Sequence, residues 1–417
     1  MTTTPSSETL VVPGPGAVPA LVPHLLGFAP SQSVVLLGLA GPRHQVRVTL
    51  RADLPPAGLP LEAAAPELGQ SLPALARAGS ETVILVVYPG ADDSPWTGSS
   101  PRDLPRRDLV EALASALQAQ GLGLDDALCV VGDRVRSYIC TDPACCPPEG
   151  FLVDSSESLR INASFVVRGS APLQSREGLA TVLEPRPDDD PLVREVERTR
   201  MLLGDCESML SVPDVDSFLL GLAAWGGPGA DSGLLAPLVA LATALCQRIR
   251  PRDLLLRALA VDCTPEHREL ARVVLTEAVR CALPEEAAPV AAVLAVVAWL
   301  GGDGAFSRTA LDRAFACDPA YSLAALVSAA LDHGTPPWEW AEMMRDLSVE
   351  AILDATQPAY PEDDWGPDDD DLLADELEEP DDYPGHPDDP DDSESHGDSG
   401  PLLRSAPDRG SGGDGPL

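Results

Sequence analysis

Lysine is absent from all 417 residues, so the 28 basic side chains are all arginines, and Asn162 is the only asparagine. Without lysine there can be no Schiff base, no Walker-type phosphate lysine and no kinase-type lysine. Basic charge is scarce altogether: 66 acidic residues leave a formal net charge of −38. Nucleic acid binding needs a basic stripe that releases counterions, and anionic lipid needs the same, so both partners are excluded. Long apolar runs are missing too. The greasiest stretch, 287–300, is shorter than the roughly 20 residues that span a bilayer, and Pro289 interrupts it. The opening MTTTPSSETLVVPGPG has no charged region followed by an apolar one, so no secretory signal is expected. Nine cysteines are an odd number spread over a large chain, unlike a disulfide framework. These absences point to a cytoplasmic protein with reduced thiols.

What is present supports a folded body. At 44% apolar residues the chain can bury a core, and its length allows two or three domains. Three regions are expected: an α/β domain over 10–185, an all-α domain of helical hairpins over 188–350, and a disordered acidic tail over 356–417. From Tyr360 onward there are 21 acidic residues against two arginines, too much charge and too little apolar surface to offset ordering entropy.

In the first region, Val34 to Leu39 and Val46 to Leu50 read as a strand pair. Thr82 to Tyr88 (TVILVVY) reads as a strand buried on both faces. A helix over 106–120 and a strand over 127–131 complete a β-α-β unit, expected to be parallel and right-handed within a mixed sheet. Val135 to Cys140 should add one more strand through a Gly132-Asp133 turn. In the second region the helical period gives segments 190–210, 214–225, 233–248, 251–261, 265–282, 287–300, 305–316, 321–333 and 336–346. Ala291 to Tyr321 looks like a tetratricopeptide-type hairpin, without a clean 34-residue repeat.

Catalytic signatures are missing. There is no G-x-G-x-x-G after a strand, no G-x-S-x-G and no H-E-x-x-H, and no histidine has a nucleophile and an acid beside it. A non-enzymatic protein that binds a protein partner or regulates one is therefore the leading expectation. The alternative is an enzyme or small-molecule sensor with a crevice at the carboxyl ends of the parallel strands. Asp92, Asp93 and Asp133 would supply its polar groups, although turn chemistry explains them more simply.

The segment S-Y-I-C-T-D-P-A-C-C-P-P-E-G, residues 137–150, is the one that looks selected. Cys140, Cys145 and Cys146 fall within seven residues, in a loop stiffened by Pro143, Pro147 and Pro148. Three readings apply: small apolar side chains in a tight loop, a metal site, or a redox pair of Cys140 with Cys145 or Cys146. The structural reading needs least and is preferred. No cofactor is required by any motif, and zinc is the ion the thiols admit. Its fourth ligand would come from Cys129, His44 or Asp142. The isolated Cys129, Cys206, Cys246, Cys263, Cys281 and Cys317 are expected in the core, with Cys146 the most buried thiol of the cluster.

These residues also carry a resemblance. The stretch Leu25 to Val35 (LLGFAPSQSVV), the C-x4-C-C-P-P-E-G run, Ser175-Arg176-Glu177, Gly302-Asp303-Gly304-Ala305 and Asp318-Pro319-Ala320-Tyr321 follow one another in order. Together they resemble the actinobacterial family labelled domain of unknown function 4192, over roughly residues 10–345. The resemblance implies an actinobacterial source, in keeping with the Ala-, Pro-, Gly- and Arg-rich composition, and no assigned activity.

Overall fold

Strand-forming runs of Val, Ile and Leu lay down a six-stranded mixed sheet of order β2-β1-β3-β4-β5-β6. In the computed structural model the described residues are 14–55, 66–90, 93, 96, 103–153, 155–167, 171–203, 210–230 and 233–354. The acidic segment 356–417, Asp92 and Cys206 lie outside them. The strands are β1 (Ser33–Ala40), β2 (Gln45–Asp53), β3 (Thr82–Tyr88), β4 (Gly123–Val131), β5 (Arg134–Ser137) and β6 (Phe151–Leu152). β3 and β4 pair in parallel, and every other neighbouring pair is antiparallel. β2 lies at an edge, exposed over Gln45 to Arg47 and at Asp53 and half-buried between, and the charges of Arg47 and Asp53 discourage pairing with another chain.

Side-chain alternation divides the sheet between two cores. On one face Val34, Leu36, Leu85, Val87, Ala127 and Cys129 pack with helices α2 (Pro66–Arg77) and α3 (Arg107–Ala119). α3 contributes Leu109, Val110, Leu113 and Leu117, one stripe at helical spacing. On the other face Val35, Leu37, Val86, Leu128 and Val135 share a core with α1 (Val18–Leu26) and with the helices of the second half. Every residue of β1 is buried because both faces are covered.

Three elements between β5 and the helical region were not foreseen: the edge strand β6, α4 (Ser156–Val167) and α5 (Glu177–Val182). α4 is weakly amphipathic and buries only Ser158 and Ile161, which left little periodic signal in the sequence. β5 also corrects an expectation. It ends at Ser137 instead of Cys140, because the next residues turn away under side-chain control. The Tyr138 hydroxyl donates to the Pro105 carbonyl at 2.6 Å, and the Ser137 hydroxyl accepts the Ile139 and Cys140 amides.

The helical region runs α6 (Pro191–Leu203), α7 (Val212–Trp225), α8 (Leu235–Cys246), α9 (Ile249–Arg257), a π-helical turn (Ala258–Asp262), α10 (Pro265–Cys281), α11 (Pro284–Leu300), α12 (Gly304–Cys317), α13 (Ser322–Asp332), α14 (Pro337–Asp346) and α15 (Val349–Asp354). Caps written in the sequence set its boundaries. The Thr264 hydroxyl accepts the His267 amide at 3.2 Å, ahead of Pro265 at the first helical position. Gly302, at φ +85°, closes α11, and the Asp303 carboxylate caps α12 through the Phe306 amide at 2.9 Å. α11 is buried on every side from Ala287 to Trp299, so it is the axis around which the other helices pack. Among the described residues no helix is long and apolar enough to cross a membrane.

Candidate functional site

The carboxyl ends of β3 and β4 were the expected place for a crevice. There Asp93 serves its own loop. Asp93, with only 7% of its side chain exposed, accepts the Gly90 amide at 2.7 Å and Arg106 Nε at 2.5 Å. Arg106 also donates to the Pro55 carbonyl, and it sits at φ +60° to do so. Asp133 is exposed and lies 4.0 Å from Arg134. Among the described residues here, the Arg136 guanidinium stacks 5.3 Å from the Trp96 ring centre, and that of Arg107 lies 5.8 Å from the Tyr138 ring centre. Burial pushes the Cys129 thiol up to about 12.

Directly beyond β5 the thiol loop emerges, and it is held from several sides. Asp126 Oδ1 accepts the Ser137 hydroxyl at 2.6 Å, and that hydroxyl in turn accepts the Ile139 and Cys140 amides at 3.1 and 3.0 Å. The Asp142 carbonyl accepts the Cys145 and Cys146 amides, while its carboxylate accepts the Ala144 amide. Arg136 donates to the Pro148 carbonyl at 2.5 Å, and Arg134 to the carbonyls of Glu149 and Gly150 at 3.3 Å. The two arginine ties follow from an alternating strand: Arg134 and Arg136 leave β5 on the same side, two residues apart.

This frame brings the ligand atoms of Cys140, Cys145 and Cys146 within 4.8 Å of one another. Cys145 is exposed, Cys140 half-buried and Cys146 buried at 4%, the most enclosed of the three as expected. All three are free thiols. A hydrogen bond from the Cys146 thiol draws Cys140 below the ordinary thiol range. Donating to Cys140 raises Cys145, and burial pushes Cys146 up to about 12.

None of the expected fourth donors joins this group among the described residues. Asp142 spends its carboxylate on the turn. His44 bonds Asp125 at 2.7 Å, and Cys129 is buried in the core that packs with α2 and α3. Of the isolated cysteines, Cys129 and Cys246 are in the core, but Cys263, Cys281 and Cys317 are only half-buried. The reason is position: Cys281 and Cys317 are the last residues of α10 and α12, and Cys263 follows the π turn.

Sequence reasoning missed Ser137 and Asp126 as the clamp of this loop, although a serine that opens a thiol motif was a usable signal. Ser137→Ala should cost about 1–3 kcal/mol, because it strands two amides and a partly buried carboxylate at once. Chemical denaturation would measure it. A midpoint equal to wild type would mean the clamp carries no load.

Two further surfaces stand out. α14 holds Trp340 inward, edge-on to Trp299 at 5.9 Å, and buries Met344, yet it leaves Trp338 53% and Met343 52% exposed. Between α5 and α12 a cleft of about 510 Å³ is lined by Arg176, Glu177, Leu183, Thr309, Asp312 and Arg313.

Comparison with known proteins gives a family. The family model described as Domain of unknown function (DUF4192) matches residues 15–338. No curated protein and no solved structure matches the chain.

Proposed function

The chain belongs to this family of the domain of unknown function 4192, and we propose that it is a non-enzymatic interaction or regulatory protein of the cytoplasm. The observation that carries the reading is the outward pair Trp338 and Met343 on α14. Trp340 and Met344 of that helix face inward, while Trp338 and Met343 leave just over half of their surface, 53% and 52%, in solvent. Tryptophan and methionine are enriched where proteins meet, and tryptophan dominates hot spots. Leu326 on α13 and Leu353 on α15 add exposed apolar surface on the neighbouring helices in the chain. With a net charge of −38, a partner with a basic rim is favoured.

Trp338→Ala with Met343→Ala in the full chain is the test. Affinity capture from the native host should lose its specific partner while the melting temperature stays within a degree or two. Undiminished capture would reject this surface.

A small-molecule sensor is the second reading, favoured by the α5–α12 cleft and not by the strand ends. Arg176 and Arg313 line the cleft, and a guanidinium fork suits a carboxylate or phosphate.

A further inference from the structure

We propose that Cys140, Cys145 and Cys146 form a three-thiolate site for a zinc ion, with the fourth coordination position supplied from outside the protein chain. Burial alone accounts for Cys146, but it does not explain Cys145. That thiol is exposed, yet it turns toward the other two until all three sulfur atoms lie within 4.8 Å. Tetrahedral zinc with Zn–S bonds of about 2.3 Å places sulfurs about 3.8 Å apart. Closing from 4.8 Å to that spacing asks for about 1 Å, which small changes in the single side-chain torsion of each cysteine can supply.

The loop is arranged before any ion arrives. The Ser137 hydroxyl fixes its entry, the Asp142 carbonyl its turn, and Arg134 and Arg136 its exit. Three prolines further limit its motion. Such a frame lowers the ordering cost of binding, as second-shell contacts do at metal sites. It also sets the charge. Zinc with three thiolates carries one net negative charge, and two guanidinium groups are tied to carbonyls of the same loop.

Coordination needs no oxidant or reductant. An aqua zinc ion exchanges waters for three sulfurs, and the thiol protons leave to solvent, so affinity rises with pH. Since Asp142, His44 and Cys129 are committed elsewhere, the remaining position is open to water or to a donor on a partner. Three protein ligands with one exchangeable position is a known zinc arrangement, distinct from the closed four-ligand sites that only hold a fold.

The test uses the full-length chain, purified reduced and without a polyhistidine tag. Elemental analysis should find one zinc per chain, and cobalt(II) substituted for it should show thiolate charge-transfer absorption. Thiol counting on the native protein should show fewer reactive cysteines with zinc than after chelation. Cys145→Ser, a change at an exposed position that spares folding, should lose stoichiometric zinc. Three outcomes would overturn the proposal: zinc content equal in wild type and Cys145→Ser, a cobalt spectrum without thiolate bands, or a mass two hydrogen atoms light that reports a disulfide among the three. The cobalt spectrum is read on the wild-type chain, so it decides even if a variant fails to fold.

Discussion

Phe218→Ala should destabilise the protein by about 3–5 kcal/mol, the usual cost of emptying an aromatic site in a closed core. Phe218 on α7 is fully buried, among the largest side chains that are. Two residues along the same helix, Leu220 is 72% exposed, so Leu220→Ala should stay within about 0.5 kcal/mol. The pair isolates packing from helix propensity, because both changes put alanine in one helix. Urea denaturation followed by circular dichroism measures both. The form of the transition carries as much information as its midpoint. Phe218 belongs to the core cluster that also contains Val35, Leu37 and Val86 of the sheet. If the α/β region 10–185 and the helical region 188–350 share that core energetically, Phe218→Ala should move one transition as a whole. A helical transition that moves alone would show two separately stable domains. Equal midpoints for the two variants would contradict the burial of Phe218.

The strands and helices were legible where one local rule dominates. VVLLGL and TVILVVY are too β-branched and too apolar for anything but covered strands, and they became β1 and β3. Thr264-Pro265, Gly302 and Asp303 are stop and start signals whose geometry needs no tertiary partner, and the helix boundaries fell on them. α11 was placed three residues late, because Pro284 was not counted as its opening residue. Illegible features were those decided across the chain. That β5 stops at Ser137 depends on Asp126, eleven residues earlier, and on Pro105, which accepts from Tyr138. That Arg136 of β5 stacks on Trp96, 40 residues earlier, is likewise a pairing without sequence periodicity. The thiol cluster shows both cases. Its residues could be named from spacing, as could the greater burial of Cys146. The distance between sulfurs and the absence of His44, Cys129 and Asp142 from the group required the fold.

Gly150→Val should cost about 2–5 kcal/mol and disperse the thiol cluster while leaving every cysteine in place. Gly150 closes the C-x4-C-C-P-P-E-G run at φ +76°, where a side chain loses about 1–2 kcal/mol from backbone strain alone. Space adds to the penalty. A Cβ at this position would stand 2.8 Å from the Val135 carbonyl and 3.3 Å from the Trp96 ring. The carbonyl belongs to a buried strand residue paired with Phe151 and cannot retreat, so the loop must lift. Lifting breaks the Gly150 amide's bond to the Pro147 carbonyl and loosens the Arg134 contacts that hold the exit of the loop. Gly132→Val supplies the control. Gly132 has φ +59°, but nothing lies within 4 Å of its would-be Cβ, so only the backbone strain applies. Thermal melts of the two variants should differ by several degrees, with Gly150→Val the lower. Cobalt(II) thiolate absorption should persist in Gly132→Val and vanish in Gly150→Val. If the melts coincide, the loop is not seated on Val135 and Trp96 as described. If they differ and the cobalt bands survive in Gly150→Val, the three thiols gather without help from the sheet, and the frame attributed to Arg134 and Arg136 is not what assembles them.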